Sequence, residues 1–328
     1  MIRRASECVG PPKRGVQSFG RGSIFMVSLR RYLSSTGSGA YLLLLLPPLF
    51  WAGNVVLARG VADLIPPVSM SFLRWAGALL FITPFTWAQV WRDRQALMAG
   101  WRNLLLTSLF GIASFNTLLY TATQTTTALN CALMQSVMPV AIIVCCFFLY
   151  GDRINLAQGL GVVLCSLGAA WIVLHGDWQT LARLDFVEGD LLMLIAIIAY
   201  ALYSALLRRR PQVHPLSFLT ATIALGTLAL LPLFLWELSR VDFPAIDLRV
   251  TASLLYVALF PSIVAYLCWN RGVELLGANR AGLFINLIPV FAAGMAVLFL
   301  GEQFRIYHIV GIVLVVAGMM LFQRAARS

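Results

Sequence analysis

Apolar residues in this chain gather into ten long runs instead of recurring at the spacing of an amphipathic helix or strand. The runs cover residues 41–62, 68–90, 102–123, 127–149, 155–174, 188–207, 214–236, 250–273, 277–300 and 303–323. Each is close to the roughly 20 apolar residues that carry an α-helix across a bilayer. A helix that is apolar on every side needs a solvent that accepts such surface everywhere, and in lipid it also satisfies its own backbone. The pattern therefore predicts an all-α integral membrane protein with ten transmembrane helices. Breakers mark several boundaries, at Pro66-Pro67, Gly151-Asp152, Pro211 and Gly301-Glu302.

A second pattern lies beneath the first. Residues 117–170 align without a gap on 267–320, at an offset of 150. Pro139 then meets Pro289, Gly151 meets Gly301, Gly161 meets Gly311 and Gly168 meets Gly318. An offset of 149 pairs Trp51 with Tyr200 and Asn54 with Tyr203. The first five helices and the last five are thus one unit used twice. Five is odd, so the second unit enters the membrane upside down, and two inverted five-helix repeats are expected. Such repeats characterise secondary transporters, which hold substrate near the midplane between the halves.

Charge fixes an orientation. The net charge is +11, but the basic residues sit in the N-terminal tail and in short loops, which is a topology signal and not a nucleic-acid-binding face. With the N-terminus inside, 18 of the 24 basic residues fall on the inner side and nine of the 13 acids on the outer. Both termini are then cytoplasmic, in a multi-pass protein of a bacterial-type inner membrane. Residues 1–39 read as a disordered basic cytoplasmic tail, and translation has an alternative start at Met26. The charged fraction is 11% and the apolar fraction 60%, which excludes a soluble domain. Five of the six cysteines lie inside apolar runs without a CxxC pair, and read as small packing residues.

The runs FWAGNVVLARG, SFLRWAGALL and ALNCALMQSVMPVAIIVCCFFLYGDRINLAQGLGVVLCSLGAAWIV resemble the first half of an EamA-type member of the drug/metabolite transporter superfamily. The run ANRAGLFINLIPVFAAGMAVLFLGEQFRIYHIVGIVLVVAGMML resembles its second half. The resemblance implies repeats at 41–174 and 188–323, a central cavity lined from both, and export or uptake of amino acids, other metabolites or drugs.

Polar groups inside a span are costly and therefore mark candidate sites. Asn116, Tyr120 and Gln124 are spaced four apart on one helical face, and their repeat partners Tyr266, Asn270 and Glu274 form a matching stripe. Both stripes are expected to line a shared path, with Trp51, Asn54, Tyr200 and Tyr203 beside them. The competing reading is ordinary helix–helix hydrogen bonding and aromatic packing. Pro139 and Pro289 fall mid-span and free carbonyls at Gln135 and Ile285, next to Ser136 and Asn286. Matched breaks suit a gate, so Pro139 and Pro289 are gate candidates and Gln135, Ser136 and Asn286 substrate-binding ones. Arg74 is the one cation well inside a span. It can pair with a carbonyl or attract a substrate carboxylate, and a lone buried arginine is usually partnered, which favours a structural role. Glu274 is a candidate for ion coupling, against an ordinary pairing with Arg271 or Arg280.

No metal, cofactor or catalytic motif appears, and no Walker A sequence. The expected partners are a small-molecule substrate and the lipid bilayer, with a second copy of the chain as a further candidate and no nucleic acid. The reading is a secondary transporter of small neutral or zwitterionic metabolites, amino acids first, working in export by alternating access. The alternatives are a drug exporter or a sugar or nucleobase importer of the same fold, and, from another class, a non-transporting membrane sensor or assembly factor.

Overall fold

A computed structural model of the chain describes residues 38–61, 64–183, 185–241, 247–300 and 303–326. The expected tail at 1–39, apart from its last residues, lies outside them, as do Met26 and the Gly301-Glu302 step. The described residues form helices joined by short turns, with no strand among them.

The first repeat comprises α1 (Ser38–Val61), α2 (Pro67–Ala99), α3 (Trp101–Ala122), α4 (Leu129–Tyr150) and α5 (Leu156–Val173). The second comprises α6 (Glu188–Arg209), α7 (Pro215–Leu238), α8 (Leu248–Leu276), α9 (Ala278–Leu298) and α10 (Ile306–Ala325). Among the described residues nine of these, α2 to α10, are long and apolar enough to cross a membrane. Helix α1 has 24 residues, of which Gly39–Asn54 form a shorter apolar stretch. Large apolar side chains point outward all round the bundle, among them Leu80, Phe85, Phe148 and Leu156, each at least 78% exposed. A protein in water does not display so much apolar surface, whereas lipid accepts it.

One boundary departs from the apolar pattern. Helix α2 runs on to Ala99, past the end of its apolar run at residue 90. The extension is rich in good helix formers, and a helix leaving the bilayer needs no apolar side chains. It stops at Gly100, a one-residue link to α3 that lies so close to Pro211 that a Cβ there would stand 2.4 Å from the proline ring.

Helix pairs recur in matched form across the repeats. Helix α1 packs on α8 and α9, as α6 packs on α3 and α4, while α2 packs on α7 and α5 on α10. The α5–α10 contact is made of glycine. A Cβ on Gly161 would lie 2.8 Å from the Gly318 carbonyl, and one on Gly168 would lie 2.7 Å from the Gly311 carbonyl. The small faces allow backbone to touch backbone.

Irregular backbone recurs at matched positions too. Helix α3 carries a π-helical stretch at Ser108–Ser114 and α8 carries one at Ala258–Val264. Both ends of the two stretches are 150 residues apart, the offset of the sequence repeat. Helix α4 is interrupted between the segments Ala128–Gln135 and Met138–Tyr150. Helix α9 is interrupted by a 3₁₀ turn, Leu283–Asn286. Pro139 sits in the first turn of its segment, where its missing N–H costs no helical hydrogen bond. The expected proline kink in α4 is therefore a junction between two helices.

Helix α6 marks the two ends of the bundle. Its start meets the end of α3, where Thr126 donates its hydroxyl to Asp190. Its end meets the end of α8, where Arg210 pairs with Glu274 at 2.7 Å. Gln124 and Glu274, equivalent in sequence, thus lie at opposite ends.

Candidate functional site

The centre of the bundle is organised by Arg74, which is 1% exposed. Its Nε donates to Ser262 Oγ at 2.6 Å, and one terminal nitrogen donates to the Pro261 carbonyl at 3.2 Å. The other donates to Tyr120 Oη at 2.8 Å, to Asn116 Oδ1 at 2.9 Å and to Asn54 Oδ1 at 3.4 Å. The guanidinium also lies 5.0 Å over the ring of Trp75, which is fully buried. Every acceptor in this set is a neutral dipole, and among the described residues no carboxylate pairs with Arg74. A buried cation costs several kcal/mol unless it is hydrogen-bonded, and these five acceptors are what holds it. Three belong to the first repeat and two to the second.

The two π-helical stretches supply the cross-repeat acceptors. Such a stretch shifts the backbone ladder and turns carbonyls out of it. Pro261 lies in one and its counterpart Gly111 in the other. The Pro261 carbonyl accepts from Arg74 and, at 3.1 Å, from Trp51 Nε1, both of the first repeat. The Gly111 carbonyl accepts from Tyr266 Oη of the second at 2.7 Å.

Equivalent residues meet around this centre. Asn116 Nδ2 donates to Tyr266 Oη at 3.4 Å. Tyr120 donates to Asn54 at 3.2 Å within the first repeat, and Tyr203 donates to Asn270 within the second, with tyrosine and asparagine exchanged between helices. An aromatic group fills the remaining space. The rings of Trp51, Tyr200, Tyr203, Tyr266 and Trp269 lie with neighbouring centroids about 5.5–6.4 Å apart.

Beside them is a narrow cavity lined by Trp51, Asn54, Asn116, Gln135, Tyr200 and Tyr266, with Phe115, Leu119, Met138, Ile285 and Ile288 on its apolar sides. Its free space is about 20 Å³, enough for about one water molecule. Four of its walls come from α4 and α9 at or near their interruptions.

The sequence profile of the EamA-like transporter family matches residues 38–174 and again 187–323. The chain belongs to the EamA-like transporter family. This EamA transporter is 27% identical over 285 residues to the uncharacterized transporter YyaM of Bacillus subtilis, covering 85% of this chain and 92% of that one. It is 27% identical over 290 residues to an uncharacterized transporter of Archaeoglobus fulgidus, covering 87% and 97%. A solved crystal structure shares the fold with a TM-score of 0.70 at 19% identity, covering 88% of this chain and 98% of that one.

Not every expected residue reaches the centre of this EamA transporter. Gln124 is exposed in the turn after α3. Glu274 lies at the end of α8, bonded to Arg271 at 2.6 Å and to Arg210. Ser136 and Asn286 stay at the helix interruptions. Asn286, its amide turned to suit both neighbours, donates to the Ser136 carbonyl at 3.2 Å and accepts from the Ser166 N–H at 3.2 Å, tying α9 to α4 and α5. Pro289 is half-buried in the last segment of α9, three residues beyond Asn286.

Other residues of the centre carry no signal in the apolar pattern. Trp75, Pro261, Ser262 and Trp269 read as ordinary members of apolar runs. Pro261 had one available cue, as a mid-span proline that the 150-residue offset, continued N-terminally beyond the aligned stretch, sets against Gly111.

Proposed function

We propose that this transporter is a secondary carrier that moves small neutral or zwitterionic metabolites, amino acids first, by alternating access across the inner membrane. The observation that carries the reading is the central cavity, built from both repeats and lined by amides and aromatic rings. Such walls suit a small amphipathic solute. The two halves are inverted in this reading, which the opposite placement of Gln124 and Glu274 supports. The positive-inside bias supports cytoplasmic termini. The family resemblance is compatible with export or uptake, and export is the direction in this reading.

The cavity as it stands admits no solute larger than water, so this conformation corresponds to a closed state. Opening separates the repeats, and the interrupted helices α4 and α9 are where the backbone can bend with fewest hydrogen bonds lost. The cross-repeat bonds from Arg74 and Trp51 to Pro261 must lengthen or break as it does.

The test is flux of labelled amino acids in proteoliposomes of the purified full chain, with and without an imposed pH gradient. Saturable flux above empty liposomes supports a carrier, and a response to the gradient identifies proton coupling. Folded protein that moves none of the amino acids overturns the amino-acid reading.

A further inference from the structure

Arg74 does more than hold two repeats together. It takes the side-chain oxygens of both Asn54 and Asn116. An amide has its oxygen on one side and its NH₂ on the other. With both oxygens turned back to the guanidinium, both NH₂ groups turn away from it, and Asn54 and Asn116 are lining residues of the cavity. Asn116 spends one of its donors on Tyr266 at 3.4 Å, a long bond. Tyr200 adds a third group. Its hydroxyl is buried with no hydrogen-bond partner among the described residues, on a side chain 1% exposed that also lines the cavity. A buried hydroxyl left unpaired costs roughly 1–3 kcal/mol, and an acceptor oxygen in the cavity would give this one a partner.

Asn54, Asn116 and Tyr200 therefore offer donors, beside the Gln135 amide whose nitrogen is bonded to the Cys131 carbonyl at 3.4 Å, and behind the two asparagines stands a cation that no described carboxylate neutralises. An acceptor group that is itself anionic would gain twice, from charge-assisted hydrogen bonds and from the field of Arg74 in a water-poor surrounding. A cationic or donor-only group would meet repulsion on the same face. We propose that the solute this site recognises carries a carboxylate, bound by the Asn54 and Asn116 amides and the Tyr200 hydroxyl, with Arg74 as the positioning residue that orients the amides and supplies the charge. This rests on the central cavity being the substrate site, and it selects zwitterionic or acidic solutes from the broader class above.

The test compares alanine, leucine and phenylalanine with their primary amides, which keep the ammonium group and lose the negative charge. Binding to the purified full chain in detergent is measured by calorimetry, and flux in proteoliposomes is measured alongside. The expected result is that at least one acid binds and that its amide binds about tenfold to a hundredfold more weakly, the difference expected for hydrogen bonds to a charged group. Arg74→Gln removes the preference for acid over amide, and Arg74→Lys, which keeps the charge, retains part of it. If Arg74→Gln does not fold, Tyr200→Phe decides. That change deletes a hydroxyl without a partner among the described residues, and it lowers acid affinity more than amide affinity.

Amides that bind as tightly as acids overturn the proposal, as does a preference for acid that survives Arg74→Gln unchanged. Acids that fail to bind also overturn it. If amides are nevertheless carried saturably, the carrier reading stands and only the carboxylate inference falls. Absence of saturable flux for every acid and every amide sinks both.

Discussion

The ring of Trp51 stands edge-on to the ring of Tyr200, with centroids 5.7 Å apart and planes at 89°. The two residues occupy equivalent places in the two repeats, one on α1 and one on α6. Their contact puts the line between the repeats through the aromatic wall of the cavity. A change on either side of this pair acts on both halves at once, and that makes it a sensitive place to test the site.

Trp51→Ala removes one cavity wall and the bond to the Pro261 carbonyl. Solute flux is expected to fall at least about tenfold, while the loss of a half-buried aromatic lowers stability by about 3 kcal/mol or less. Trp51→Phe keeps the ring and loses only the N–H, and retains more of the flux. Proteoliposome flux, set beside a thermal melt in detergent, checks both. Equal flux in wild type and Trp51→Ala would remove Trp51 from the path.

The glycine contact between α5 and α10 leaves no room for a methyl group. Gly168→Ala places a Cβ 2.7 Å from the Gly311 carbonyl and is expected to destabilise by about 1–3 kcal/mol, as overpacking does. Gly294→Ala is the control, since nothing lies within 4 Å of its Cβ position. Thermal unfolding in detergent should show a lowered Tm for the first and an unchanged or raised Tm for the second.

Glu237, at the end of α7, is 8% exposed and receives the Val68 N–H at 3.1 Å, the Ser69 N–H at 2.6 Å and the Ser69 hydroxyl at 2.7 Å. It caps the first turn of α2 from the other repeat, where a negative charge also suits the helix dipole. Glu237→Ala leaves those donors unpaired and is expected to cost about 2–4 kcal/mol. Glu237→Gln keeps an acceptor oxygen and costs less. Chemical or thermal denaturation of the three proteins ranks them, and an Ala variant as stable as wild type would contradict the capping role.

Two ion pairs at the other end of the bundle should behave differently. Arg208 and Asp152 lie 2.9 Å apart with Arg208 58% exposed, so Asp152→Asn is expected to change stability by less than about 1 kcal/mol. The Arg210 side chain is only 5% exposed and takes its carboxylate from Glu274. Glu274→Gln leaves that buried cation with a weaker partner, and a larger loss of stability follows. The same variant separates structure from coupling. If Glu274 carries the coupled proton, flux loses its response to a pH gradient; if it only holds Arg210, the response survives in whatever protein folds.

Much of this protein is legible in its sequence, because the bilayer imposes rules on one residue at a time. A span must be apolar along its length, so ten runs announced the helices. A duplicated unit keeps its proline and glycine punctuation, so an offset of 150 announced the repeat. The same offset placed Asn116 against Tyr266 and Tyr120 against Asn270, and all four are buried at the centre. Gln124 shared their stripe on paper, yet helix α3 ends before it and leaves it exposed. The apolar pattern also stopped α2 too early, since it reads transfer to lipid and not the tendency of the following residues to stay helical.

Which buried donor meets which acceptor is settled by packing alone. A buried donor takes whichever acceptor the packing brings within about 3 Å, and that acceptor need not be near in sequence or polar in its side chain. Arg74 announced a need in the sequence, but its acceptors Pro261 and Ser262 lie 187 and 188 residues away. One of them is a proline carbonyl turned out by a π-helical stretch that no hydropathy pattern marks. Hydropathy, repeat and charge along the chain were enough to specify a ten-helix, twice-repeated membrane protein with a cation buried in it. The fold alone decided that this cation takes the oxygens of two amides that line the cavity, because amide orientation is set by contacts between helices and not by the order of residues along any one of them.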